Sequence, residues 1–189
     1  LVFIKGYSGV GKTSLAKTLE KDVNAMDNGI FVEGKFDLNS SDAPYSGIAK
    51  AFGEIFQKIK NSPNGSVSII AEAISETLED EVETLIHLIP ELDGVVSSYI
   101  TAAIADNDIE HGHERFKNAF RTLTRVLCSQ FSPLVMVLDD LQWADVSSLE
   151  VIDFPISDIQ NPNPLMIVGS YRSSEIDENS ILFNKIRTL

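Results

Sequence analysis

Cys128 is the only cysteine in this chain. No internal disulfide can form, so packing must hold the fold, and the scarcity fits a reducing, cytoplasmic setting. Positive charge is also short: 15 Lys and Arg stand against 28 Asp and Glu, a formal net charge of −13. A general nucleic-acid grip takes its affinity from Lys and Arg on phosphates, so this balance argues against one while leaving room for a locally positive pocket. No apolar run reaches the roughly 20 residues of a membrane-spanning helix, and no membrane partner is expected. The opening Leu1-Val2-Phe3-Ile4 lacks the charged n-region and cleavage site of a signal peptide. There is no initiator Met, and the chain opens inside an apparent strand, which reads as a domain cut from a longer polypeptide. Histidine is limited to three residues, and no Ser-His-Asp set is recognisable.

What is present suffices for one α/β domain. The 189 residues, 43% of them hydrophobic, can bury a single sizeable core, so residues 1–189 are expected to be one domain. Short apolar runs at residues 1–4, 30–32, 134–138 and 165–169 predict buried strands, the third being central. Between them apolar residues recur at helical spacing: Leu15, Leu19 and Val23; then Ile48, Phe52, Ile55, Phe56 and Ile59 behind Pro44; then Phe116, Phe120, Leu123 and Leu127. Residues 66–90 predict one long helix, with Ile70, Ile74, Leu78, Val82, Leu85 and Ile89 inward and Glu72, Glu76, Glu79 and Glu83 on a solvated face. Asp93-Gly94 predicts a turn, residues 105–112 a loop, and Ser132-Pro133 a helix stop. Asp145 can cap a short helix that Pro155 should end or kink, and residues 181–189 predict a last short helix. Strands alternating with helices, with strands apolar throughout, predict a parallel sheet covered on both faces.

The stretch Gly6-Tyr7-Ser8-Gly9-Val10-Gly11-Lys12-Thr13 fits G-x-x-x-x-G-K-[ST]. Small residues let the backbone curl until several N–H groups face one anion, and a helix opening near Lys12 aims its positive end at the same point. Lys12 adds a mobile charge for the β- and γ-phosphates, and Thr13 offers a hydroxyl oxygen to Mg²⁺. Chance produces the pattern in about one chain of this length in a hundred, and here it also follows a strand and opens a helix. Gly6, Ser8, Gly9, Val10, Gly11, Lys12, Thr13 and Ser14 are therefore candidate nucleotide-binding residues. The strand at 134–138 ends in Asp139-Asp140. Asp139 is placed to hold Mg²⁺ with Thr13, and Asp140 to polarise an attacking water. The strand at 165–169 leads to Arg172, which could stabilise charge building on the γ-phosphate. Lys12, Asp140 and Arg172 are the candidate catalytic set, with ATP and Mg²⁺ as cofactors. His111 and His113 read as a solvated helix start, Trp143 as packing beside the site, and Cys128 as a core thiol.

Five stretches carry a resemblance to a known family: FIKGYSGVGKTSL, VEGKFDLNSSDAPYSGIAKAF, HERFKNAFRTLTRVL, LVMVLDDLQWADVSSLEVI and LMIVGSYRSSEI. The chain resembles AAA-type ATPase modules of the STAND signal-transduction class, also described as origin-recognition-complex-like AAA ATPase domains, as found in large proteins joined to kinases. The resemblance thins between Ser62 and Asn107. It implies a three-layer P-loop NTPase with a five-stranded parallel sheet in the order 5-1-4-3-2, the fifth strand and a helical lid lying largely outside this chain. It implies ATP over GTP, Mg²⁺, and a nucleotide-driven switch, with other domains of the same polypeptide and nucleotide-dependent self-association as partnerships. By position it maps Lys12 and Thr13 onto the phosphate loop, Asp139 and Asp140 onto the acidic pair, and Arg172 onto the polar residue after the fourth strand.

Three other functions fit some of these residues. A small-molecule P-loop kinase would use the same cradle, but no arginine-rich lid is visible. A nucleotide-binding scaffold with negligible turnover would not need Asp140. A DNA-loading ATPase is opposed by the net charge.

Overall fold

The computed structural model of the protein describes residues 1–38, 44–62, 66–79, 81–99, 112–156, 158, 161 and 163–188. Among these, four strands form one parallel sheet: β1 (Val2–Gly6), β2 (Ile30–Lys35), β3 (Leu134–Asp139) and β4 (Leu165–Arg172). Their spatial order is β1-β4-β3-β2. That is the order the resemblance implied, without a fifth strand among the described residues. The helices are α1 (Lys12–Asn24), α2 (Ser46–Lys60), α3 (Ser66–Leu78), α4 (Glu81–Leu88), α5 (Pro90–Val96), α6 (Gly112–Gln130), α7 (Val146–Ile156) and α8 (Ile181–Thr188).

The two-residue period of the strands divides the core. Phe31, Val135, Val137 and Val168 face α1, where they meet Ala16 and Val23. Ile30, Val32, Leu134, Met136, Leu138 and Ile167 face the other way, into the larger core built with α2, α6 and α7. A strand buried on both faces has no polar side to alternate with, which is why β3 reads as an unbroken apolar run. Helices α3, α4 and α5 pack against α2 and α6, and they occupy the stretch where the resemblance thins. The close approach of α2 to β2 depends on two glycines: a Cβ at Gly34 would lie 2.1 Å from the Gly47 carbonyl oxygen.

β2 lies at one edge of the sheet, and a single stripe of α2 covers its outer backbone. Lys58 Nζ donates to the Phe31 carbonyl, the Glu33 N–H donates to Glu54 Oε2 at 2.7 Å, and Lys50 Nζ reaches the Lys35 carbonyl at 3.4 Å. Spacing of i, i+4, i+8 puts these three side chains in one row. β1 forms the other edge. The sequence suggested a fully buried strand there, but Val2 is 44% exposed.

Other sequence expectations also change. The single helix expected over 66–90 is two, α3 and α4, because Glu79 turns into the left-handed region at φ 46°. The apolar stripe hides the break, since Leu78, Val82 and Leu85 are all buried and keep helical spacing across it. The turn expected at Asp93-Gly94 lies inside α5, where Pro90 opens the helix, Glu91 and Asp93 suit its first turn, and Leu92, Val95 and Val96 are buried. Pro155 falls in the last turn of α7, which runs one residue past it. Strand β4 continues beyond Gly169 through Arg172. The loop expected over 105–112 falls almost wholly outside the described residues, as does His111; Gly112 begins α6, and the His113 side chain is also outside them.

Candidate active site

The site lies at the C-terminal ends of the strands, where open α/β sheets bind ligands. β1 ends at Gly6, and the chain turns through residues 7–11 into α1. Gly9 (φ 79°) and Gly11 (φ 92°) both take left-handed backbone, and Gly11 caps the helix. Nothing lies within 4 Å of a Cβ built at either, so the demand for glycine is conformational. At Gly6 it is steric, because a Cβ would sit 2.8 Å from Val10 Cγ2.

Ser8, Gly9, Gly11, Lys12, Thr13, Ser14, Lys35, Asp139, Asp140 and Arg172 line an open cleft of about 330 Å³. Gly6, which closes β1, and the exposed Val10, whose Cγ2 lies close to Gly6, are not among the lining residues. Lys12 is 9% exposed, and its Nζ donates to the Tyr7 carbonyl at 3.0 Å, holding the ammonium inside the loop.

Asp139 is surrounded by neutral donors. The Thr13 hydroxyl donates to Oδ2 at 2.8 Å; Oδ1 accepts from the Ser170 hydroxyl and from the Asp140 N–H at 3.1 Å. Burial works to raise its pKa, but these three donors and the charge of Lys35 outweigh it, so Asp139 lies below the usual carboxylate range.

Asp140 has a different environment. Its backbone is left-handed (φ 58°), a conformation that costs a non-glycine residue about 1–3 kcal/mol, although Asp tolerates it better than most. It is 5% exposed. Arg172 Nε lies 3.2 Å from Oδ1, Gln142 Nε2 donates to Oδ1 at 2.9 Å, and Lys35 Nζ lies 3.5 Å from Oδ2. Arg172 is anchored in turn: NH1 pairs with Glu175 at 2.8 Å, the guanidinium lies 4.6 Å from the Trp143 ring centroid, and its backbone N–H donates to Gln142 Oε1 at 3.0 Å. The sequence-derived candidates Lys12, Thr13, Asp139, Asp140 and Arg172 therefore meet in one cleft. Trp143 is the platform for Arg172.

Sequence reading missed Lys35, Gln142 and Ser170. Lys35 stands opposite Asp139 in the β2–β3 register, which a single strand cannot reveal. Ser170 directly follows the apolar run 165–169 of β4 and is fully buried, and such a hydroxyl needs a partner. That was the signal available.

The residues fit a nucleoside triphosphate with Mg²⁺. The loop pairs left-handed glycines with a helix N-terminus and a buried lysine, and Thr13 and Asp139 bring oxygens of the kind Mg²⁺ prefers to one point. Among the described residues no group of three or more His, Cys, Asp and Glu forms a separate metal cluster, and no helix is long and apolar enough to cross a membrane.

A parallel sheet in this order, with a glycine loop feeding α1 from β1 and an acid at the tip of β3, is the P-loop NTPase fold. Comparison with known families narrows the class: the family model described as an AAA ATPase domain matches residues 1–168, and the chain belongs to that family. A curated relative, Hybrid signal transduction histidine kinase G of Dictyostelium discoideum, is 32% identical over 152 residues. The match takes in 80% of this chain but spans only 4% of the relative's length.

Proposed function

We propose that this domain binds and hydrolyses ATP with Mg²⁺ and acts as a regulatory switch within a multidomain signalling polypeptide. The observation that carries the proposal is the 2.8 Å hydrogen bond from Thr13, at the start of α1, to Asp139, at the end of β3. It joins the phosphate loop to the acidic strand tip. Thr13 and Asp139 would hold Mg²⁺, which when bound supplies neutralising charge for the phosphates. The N–H groups at the start of α1 and the Lys12 ammonium orient the phosphate chain. Asp140 accepts a hydrogen bond from the attacking water and draws off its proton. Arg172 provides positive charge on the opposite wall. The signalling context rests on the relative's name, since that protein is a signal transduction histidine kinase. Other domains of the same polypeptide, and nucleotide-dependent self-association, are the partnerships proposed.

Equilibrium binding of ATP, ADP and GTP with Mg²⁺ tests the reading, with Lys12→Ala beside the unmodified protein. ATP binding should be saturable, stronger than GTP binding, and weakened by about 100-fold in the variant, as expected when a buried charged donor is lost. Unchanged affinity in Lys12→Ala would refute the cradle. Phosphate release then separates a hydrolase from a second reading, a nucleotide-binding scaffold with negligible turnover. That second reading has one observation behind it: Asp140 is already engaged by Lys35, Arg172 and Gln142.

A further inference from the structure

Three cations line the cleft, and they differ in how firmly they are held. Lys12 is buried and bonded to its own loop. Arg172 is fixed by Asp140, Glu175 and the face of Trp143. Lys35 is the most loosely held: its side chain is 53% exposed, and its contact with Asp140 Oδ2 is the longest of the three ion pairs among these groups at 3.5 Å. It stands on the last residue of β2, facing the tip of β3 across the register, on a long stem that can swing its ammonium through the cleft. A phosphate oxygen arriving in this cleft meets Lys35 as the cation with least to give up. Charge-assisted pairing to a phosphate is stronger than a long, half-solvated pair with a carboxylate.

We propose that Lys35 is a second phosphate-contacting lysine, one that selects triphosphate over diphosphate by leaving Asp140 for the terminal phosphate. The inference rests on the nucleotide reading above and adds to it a specificity-determining residue on β2. The exchange is non-covalent. One ammonium moves between two anions, and Asp140 gives up one of its two cationic neighbours at the moment a triphosphate is in place. Nucleotide recognition and release of the water-polarising acid thereby become a single event. A diphosphate, lacking the terminal group, leaves Lys35 on Asp140.

The test compares ATP and ADP affinities, with Mg²⁺, in the unmodified protein, Lys35→Met, Lys35→Arg and Lys12→Ala. Methionine keeps the apolar stem and removes the charge; thermal unfolding checks that the variant is folded. Lys35→Met should weaken ATP binding about tenfold, the value of one charge-assisted contact, and leave ADP within about twofold. Lys35→Arg should restore most of the ATP-to-ADP ratio, which a merely structural role would not predict. Equal losses for ATP and ADP, or no loss for either, alongside strong weakening by Lys12→Ala, would remove Lys35 from phosphate recognition and leave the nucleotide site standing. Lys12→Ala binding ATP as the unmodified protein does would overturn the site itself, and the role of Lys35 with it.

Discussion

One wall of the cleft, formed by α1 and the ends of β3 and β4, holds Asp139 with two hydroxyls and a backbone N–H. The other wall, formed by the end of β2, the segment after β3 and the last residue of β4, holds Asp140 with two cations and an amide. Neutral donors fix a carboxylate in place and lower its pKa without cancelling its charge, so Asp139 stays available to a metal ion. Cations do cancel it. Asp140 is buried, left-handed and compensated, and the proposed action on a water would need that compensation withdrawn. The first wall is prepared in advance, and the second must be rearranged. That division is compatible with the proposed switch, since preorganisation is complete on one side only.

The contrast breaks most visibly at Asp140. Asp140→Asn should keep ATP binding but lower the hydrolysis rate by about 10²-fold or more, the usual size of a general-base contribution, measured as phosphate release under saturating ATP. Turnover equal to the unmodified protein would show that both walls serve binding alone. Asp139→Asn addresses the prepared wall and should act through the metal. The Mg²⁺ concentration needed for half-maximal ATP affinity should rise about tenfold, while affinity without Mg²⁺ changes little.

A smaller effect comes from pH. The folded pKa of Asp139 is depressed, so its stabilising contribution is complete above the unfolded value near 3.9 and is lost only as pH falls through the lower folded value. Ser170→Ala removes one of the donors that depress it. That variant should lose about 1–2 kcal/mol of stability near neutral pH and unfold in acid at a higher pH, seen by circular dichroism. An unchanged acid midpoint would mean the Ser170 bond does not hold Asp139 down. The mildest probe is optical. Trp143 is the chain's one tryptophan and lies against Arg172, so movement of that guanidinium should change its fluorescence. ATP should alter the emission more than ADP does; identical responses would place Arg172 outside any reading of the terminal phosphate.

The prepared wall was legible in the sequence except for Ser170; on the other wall Asp140 and Arg172 were legible, and Lys35 and Gln142 were not. The glycine loop, Lys12 and Thr13 are contiguous, and Asp139 closes an apolar run too short for a helix, so local pattern suffices. Lys35, Gln142 and Ser170 join the site through strand register and through a turn whose backbone is left-handed at Asp140, neither of which is encoded in spacing along one segment. The same limit explains the fold. Strand order followed from the resemblance and is met by the β1-β4-β3-β2 sheet, whereas the break at Glu79 was invisible because the apolar stripe passes across it in step.

The row of Lys50, Glu54 and Lys58 along β2 has a consequence for solubility. An open strand edge is a template: another chain can dock on it backbone to backbone, and copies joined that way grow into aggregates. Here the template is already occupied, by ammonium and carboxylate groups that a visiting strand would have to displace one by one. A chain rich in apolar strands thus carries its own chain terminator at this border. Neutralising all three positions should show itself first in the test tube as turbidity, before any change at the phosphate loop.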